Sequence, residues 1–188
     1  IRAFRALPGF RFEASFRNNM ANHLQSQIKA LTEAAIEPGD TPAILDEPVG
    51  ALFADPRTYE VEIAVLRECL AVMDALGHKP VDLPGTPVKA LAVGASKLPR
   101  FVARPLLSRI LGGSRGDKMP SFHIDLHGGR GRTEVRYLNG AVVRYGAEHG
   151  VPTPVNAVLT DTLEALSSGA QSVEAYRHNP DALLALLP

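Results

Sequence analysis

Apolar residues recur every three or four positions along most of this 188-residue chain, and that period dictates helices. Phe16, Met20, Leu24, Ile28, Leu31 and Ala35 form one stripe. Ser15 is placed to cap that helix, and Pro38-Gly39-Asp40 stops it. Its other face carries Asn18, Asn19, Asn22, His23 and Gln25, which suits either a solvated surface or the wall of a polar pocket. Residues 40 to 55 read as short helical turns. Asp55-Pro56 then supplies an N-cap followed by Pro at the first helical position. Val61, Val65, Leu66, Cys69, Val72, Met73 and Leu76 follow at helical spacing until Gly77, and Glu60, Glu62 and Glu68 are expected to face mostly outward. Further helices are expected from Thr86-Pro87, over about 99 to 111 with a kink at Pro105, over about 119 to 127, from Thr133 to His149, and over 154 to 167. The tail from 171 to 188 reads as one or two short helices. The only strand-like triplet is Phe10-Arg11-Phe12, too short to count. The expected class is all-α, with about eight helices.

Charge narrows the partners. Lys plus Arg and Asp plus Glu both total 20, so no field favours a polyanion or a membrane, and neither is an expected partner. No run of 18 apolar residues is present, and the opening IRAFRALPGFRF lacks the pattern of a signal peptide. A single cysteine, Cys69, lies in an apolar pattern and reads as core filler. This usage fits a reducing compartment, so the expected location is cytoplasmic. The chain does not begin with Met, so a trimmed or excised piece of a longer protein is expected.

Chemistry-bearing residues concentrate in KMPSFHIDLHGGRGRTEVRYLNGAVV, residues 118 to 143. As a phosphate loop GGRGRTE fails, since no Lys follows the last Gly and the preceding segment is helical. The dinucleotide pattern GxGxxG fails as well. A tight turn between helices remains, with Gly128, Gly129 and Gly131 supplying positive φ and Thr133 capping the next helix. Arg130 and Arg132 leave an anion site at that helix start open. His123 and His127 are four apart, a spacing at which two imidazoles can share a metal, but no third ligand is evident. They read as surface histidines, and no metal site is expected. Ser121, Asp125 and Glu134 would lie near one another across the Gly turn, which suits a pocket for a small hydroxylated or carboxylated substrate.

The order of these elements resembles a known family. P-S-x-x-x-D at Pro120 to Asp125, G-R-T-E at Gly131 to Glu134, L-N-G at Leu138 to Gly140, and G-x-P-T-P-x-N at Gly150 to Asn156 look like the C-terminal domain of ketopantoate reductases, the 2-dehydropantoate 2-reductases. Ala30-Leu31-Thr32 also resembles the end of that domain's opening helix. The resemblance implies a helical domain similar to that of 6-phosphogluconate dehydrogenase. Residues 15 to 188 would be the substrate-binding and dimerisation domain, and residues 1 to 14 the junction from an absent N-terminal Rossmann domain. That domain would hold NADPH, so no cofactor is expected on this chain and no cofactor-binding residue is named.

By the same resemblance, Ser121 binds substrate and Glu134 lies at the catalytic site. The resemblance further implies a parent protein that reduces a 2-keto acid such as 2-dehydropantoate, on the route to pantothenate, as a homodimer. One departure stands out. The family's general acid is a Lys on the opening helix. Aligning Ala30-Leu31-Thr32 places Asn18 or Asn19 there, and a shifted register places His23. The substrate-holding Asn would be Asn22. An amide cannot donate a proton at neutral pH but an imidazolium can, so His23 is the candidate acid. A parent active with another acid, and a non-catalytic helical domain that keeps the fold without the chemistry, are both consistent with this departure.

Overall fold

The computed structural model describes residues 26, 31, 32, 34, 39–82, 87–112, 119–128 and 133–188, with the side chains of 111 and 112 excepted. His23, Asn22 and most of the expected opening helix lie outside the described residues, as does Phe10-Arg11-Phe12. Leu31, Thr32 and Ala34 are helical and buried.

Among the described residues there are nine α-helices and no strand. They are α1 (Asp40–Leu45), α2 (Val49–Ala54), α3 (Pro56–Ala75), α4 (Val88–Lys97), α5 (Arg100–Leu107), α6 (Ser121–His127), α7 (Asn139–His149), α8 (Pro154–Ser167) and α9 (Pro180–Leu184). A π-turn, Ser108–Gly112, extends α5, and a 3-10 turn, Val173–Ala175, precedes α9.

The twenty-residue α3 is the central strut. Its start is the cap that Asp55-Pro56 forecasts, with the Asp55 carboxylate accepting from the Arg57 backbone N–H at 2.8 Å. Gly77, at φ 72°, turns the chain off its end. Ile63, Leu66, Cys69 and Met73 face one apolar cluster with Leu31, Phe53, Leu91, Leu107 and Val142. Val61 and Val65 face a second cluster with Ile44, Phe122, Leu159, Leu163 and Leu183. With apolar neighbours on both sides, α3 is hydrophobic over more than one stripe. Phe53 and Tyr59 meet edge to face at 5.9 Å between centroids. The Cys69 thiol is buried, as expected of core filler, and donates to the Leu31 carbonyl at 3.1 Å.

Two carboxylates break the outward expectation. Glu62 is only 7% exposed, with Thr41 and Asp40 of α1 beside its carboxyl. Burial pushes its carboxyl up to about 7, against a smaller opposing pull from the Thr41 hydroxyl. Asp40, at the start of α1, is buried too. Burial first and the Glu62 charge second raise its carboxyl well above the usual range. Glu68 turns inward to α8, where its carboxylate accepts the Val155 and Asn156 backbone N–H groups at 2.9 Å each. A helix start is thus capped from 87 residues away in sequence.

Two further expectations are corrected. Helix α7 begins at Asn139 and not at Thr133. The Gly140 N–H reaches back five residues to the Val135 carbonyl, so residues 134–138 form a wider turn that does not close the α ladder. Gly128 has φ −82°, so it is not needed for positive φ. A Cβ there would stand 2.4 Å from the Ile124 carbonyl oxygen, and this close approach is what excludes a side chain.

Candidate functional site

Helix α6 carries the densest chemistry and lies against α1. Its placement begins with Phe122, which is buried on Gly39; a Cβ at Gly39 would meet the Phe122 ring at 2.8 Å. His123 Nε2 donates to Asp46 Oδ1 at 2.6 Å, at the far end of α1. His127 Nε2 donates to the Ala43 carbonyl at 3.1 Å. Phe122, His123 and His127 therefore hold one side of α6 against α1. Ser121 and Ile124, three apart, take the opposite side: Ser121 is exposed, and Ile124 leaves 54% of its surface uncovered.

Glu134 is also exposed and opens the wide turn that leads into α7. Its carbonyl accepts from Tyr137 and Leu138 at 2.9 and 3.2 Å, which fixes the backbone and leaves the carboxylate at the surface. Ser121 and Glu134 thus flank residues 129–132, which lie outside the described set along with Arg130 and Arg132. Asp125, on α6, is half-buried. An open groove of about 610 Å³ adjoins Glu134, lined by Thr133, Arg136, Tyr137, Asp161, Glu164 and Ser168 among others. Neither Ser121 nor Glu134 lines it, so it is not the pocket that the sequence motif describes. Arg136 pairs with Glu164 across this groove and raises no free cation into it.

The remaining motif residues are struts. Asn139 and Asn156 are both buried. Asn139 Nδ2 donates to Asn156 Oδ1 at 3.4 Å, and Asn156 Nδ2 donates to Glu68 Oε2 at 2.7 Å and to the Val65 carbonyl at 3.3 Å. The Asn-Asn-Glu chain ties α7 and α8 to α3. Gly150, at φ 68°, ends α7, and Gly146 lets Thr153 and the Val151 carbonyl come within 2.8 Å of where its Cβ would be. L-N-G and G-x-P-T-P-x-N therefore build a scaffold on α3, and the turn that carries Glu134 leads directly into it.

Sequence reasoning missed Asp46. It joins the two histidines from 77 residues away and follows a helix end at φ 54°. Only the short helix stop Asp46-Glu47-Pro48 marks it, and nothing in that stop names the partner.

The family described as ketopantoate reductase PanE/ApbA C terminal matches residues 22–167. A 2-dehydropantoate 2-reductase of Pyrobaculum aerophilum is 30% identical over 126 residues, covering 67% of this chain and 38% of that protein. One from Archaeoglobus fulgidus is 29% identical over 159 residues, covering 84% and 46%. The chain spans less than half the length of these curated relatives. The crystal structure of a PanE/ApbA family ketopantoate reductase from Ralstonia eutropha superposes with a TM-score of 0.56 at 26% identity, over 76% of this chain and 40% of that one. D-mandelate dehydrogenase, solved with NADH and anilino(oxo)acetate, has a TM-score of 0.55 at 22% identity, over 78% and 70%, which is a likeness of fold alone.

Proposed function

Because the chain belongs to the ketopantoate reductase C-terminal family, we propose that it forms the substrate-binding half of an NADPH-dependent 2-keto acid reductase of the 2-dehydropantoate 2-reductase type. The observation that carries the reading is the family match over 22–167, which takes in both Ser121 and Glu134. Their exposed positions on either side of residues 129–132 support it, as does the uncovered Ile124 beside Ser121. A partner domain closing over this face would bury Ile124 and desolvate the Ser121 hydroxyl.

The described residues are helical and carry no strand-to-helix glycine loop, so they do not fit a dinucleotide. NADPH is assigned to a Rossmann domain preceding this one, where it supplies the hydride. This chain's part is to hold the keto acid and to deliver the proton that the forming alkoxide takes up. Ser121 hydrogen-bonds the substrate, Asn22 on the opening helix holds it, Glu134 orders the polar groups around it, and His23 donates the proton. Phe101, 80% exposed, with Val102 and Leu106 on the same helix, offers apolar surface for a second copy in a dimer.

The test is Ser121→Ala in the two-domain protein. The proposal expects the Michaelis constant for the keto acid to rise about tenfold with folding and NADPH affinity unchanged, as for loss of one buried hydrogen bond. His23→Gln is expected to lower kcat by about 100-fold or more. Unaltered kinetics in Ser121→Ala would refute the pocket.

A second reading is favoured by one observation. Aligned on Ala30-Leu31-Thr32, the sequence has Asn18 or Asn19 where the family has its general-acid Lys, and only a shifted register puts His23 there. A domain that keeps the fold as a non-catalytic interaction module would show no effect of His23→Gln, because there would be no turnover to lose.

A further inference from the structure

We infer that Asp46, His123 and His127 form a binding site for one divalent transition-metal ion of the zinc class. One carboxylate oxygen of Asp46 and one ring nitrogen of each histidine all lie within 4.8 Å of one another. Ligand bonds to zinc are about 2.0–2.2 Å, so three ligand atoms around one ion sit about 3.3 Å apart. The His123 Nε2–Asp46 Oδ1 pair, 2.6 Å apart, has to open to that spacing, the ion taking the place of the proton they share. Two imidazoles and one carboxylate are the donor set of many open zinc sites, in which water or a ligand takes the remaining position.

The surroundings are those of a held site. The two imidazoles lie tilted against each other, with centroids 4.3 Å apart and planes 31° from each other, as expected of neighbours one helical turn apart. Asp46 and His123 are each only 16% exposed, whereas His127 is open to solvent and gives an entry path. The Asp46 backbone is fixed in the left-handed region at φ 54°. The His178 N–H pins the neighbouring Leu45 carbonyl at 2.8 Å. Arg177 Nε donates to Asp46 Oδ2 at 2.9 Å, which orients the carboxylate and leaves Oδ1 toward the histidines. The Ala43 carbonyl can only accept, so His127 Nε2 carries the proton and Nδ1 the lone pair of the neutral ring. The hydrogen bond from His123, aided by the nearby His127 and Arg177, holds the Asp46 carboxyl below its ordinary range. A bound ion would lock α6, and with it Ser121, onto the end of α1.

The experiment uses the 188-residue chain, stripped with a chelator and titrated with Zn²⁺ by calorimetry, and with Co²⁺ by visible absorption. The expected result is one ion per chain, a raised melting temperature, and the intense Co²⁺ bands of a four-coordinate site. His127→Gln removes an exposed ring and is expected to keep the fold while weakening Zn²⁺ at least tenfold. His123→Gln and Asp46→Asn are expected to do the same, and His149→Gln to leave binding unchanged. No Zn²⁺ uptake by the folded chain, or uptake that His127→Gln leaves intact, would overturn the assignment. The latter would show that the three side chains only tether α6 to α1.

Discussion

Replacing Glu62 with Gln tests how the core handles charge. Glu62 is enclosed between α3 and α1, and burial moves its carboxyl from 4.5 up to about 7. One pKa unit corresponds to about 1.4 kcal/mol, so the gap amounts to about 3 kcal/mol. The sign follows from proton binding. Below about pH 4.5 both folded and unfolded chains hold the proton, and the contribution to stability is complete. Between there and about pH 7 the folded chain keeps a proton that the unfolded chain has released, so stability falls as pH rises. Above about pH 7 both are ionised and the full amount, about 3 kcal/mol, is lost. Asp40 acts in the same direction, since its carboxyl is also raised, by burial first and by the Glu62 charge second. Gln has nearly the same shape and never ionises. Urea unfolding of wild type and Glu62→Gln at several pH values from about 5 to 8 isolates this group together with its coupling to Asp40, because the remaining titrations are shared. The stability of Glu62→Gln relative to wild type is expected to rise by about 2–3 kcal/mol across that range. Parallel pH profiles for the two proteins would refute the claim that Glu62 is buried as a protonated acid.

Four more outcomes follow from the packing. Glu68→Ala removes the acceptor for two backbone N–H groups at the start of α8 and for Asn156, and is expected to cost about 3 kcal/mol in urea unfolding. Glu60→Ala, which loses only the exposed pair with Arg100, is expected to cost less than about 1 kcal/mol. Gly146→Ala drives a methyl to 2.8 Å from the Val151 carbonyl, a backbone atom that cannot swing away, and should lower stability by about 1–3 kcal/mol; an unchanged midpoint would show that the α7–α8 corner is loosely packed. The Cys69 thiol, buried and pushed up to about 12, is expected to ignore a disulfide reagent in the native protein at mildly alkaline pH and to react as one equivalent after unfolding. Rapid native reaction would contradict its burial.

Where a local stop or start signal exists, the chain announced its helices. Thr153-Pro154 opens α8 and Asp55-Pro56 opens α3, each at the expected residue, because Pro at the first helical position needs no partner for its missing N–H. Thr133-Glu134 carries an equally good start signal and yet α7 starts at Asn139, since the reach of Gly140 back to Val135 depends on how the turn packs. Glu62 and Glu68 look outward on a single-stripe helical wheel. They point inward because α3 is covered on several sides, by α2, α4, α7 and α8, with Thr41 of α1 reaching Glu62, and periodicity within one helix does not report its neighbours. Ser121 and Glu134 are exposed, and it is their motif, not their burial, that singled them out. Asn139 and Asn156, equally prominent in the motif, serve the interior. Asp46 was invisible beside the histidines because contacts 77 residues apart leave no spacing to read. His23 and Asn22 lie outside the described residues.

The central claim is that this domain supplies the substrate half of a keto acid reductase. The most direct measurement follows NADPH oxidation by the two-domain protein, with 2-dehydropantoate and a small panel of other 2-keto acids. The account predicts saturable turnover with at least one branched 2-keto acid, weakened by Ser121→Ala and by His23→Gln. A folded protein that binds NADPH and reduces none of them would contradict it, and would leave the helical domain as a scaffold that keeps the family's shape without its chemistry.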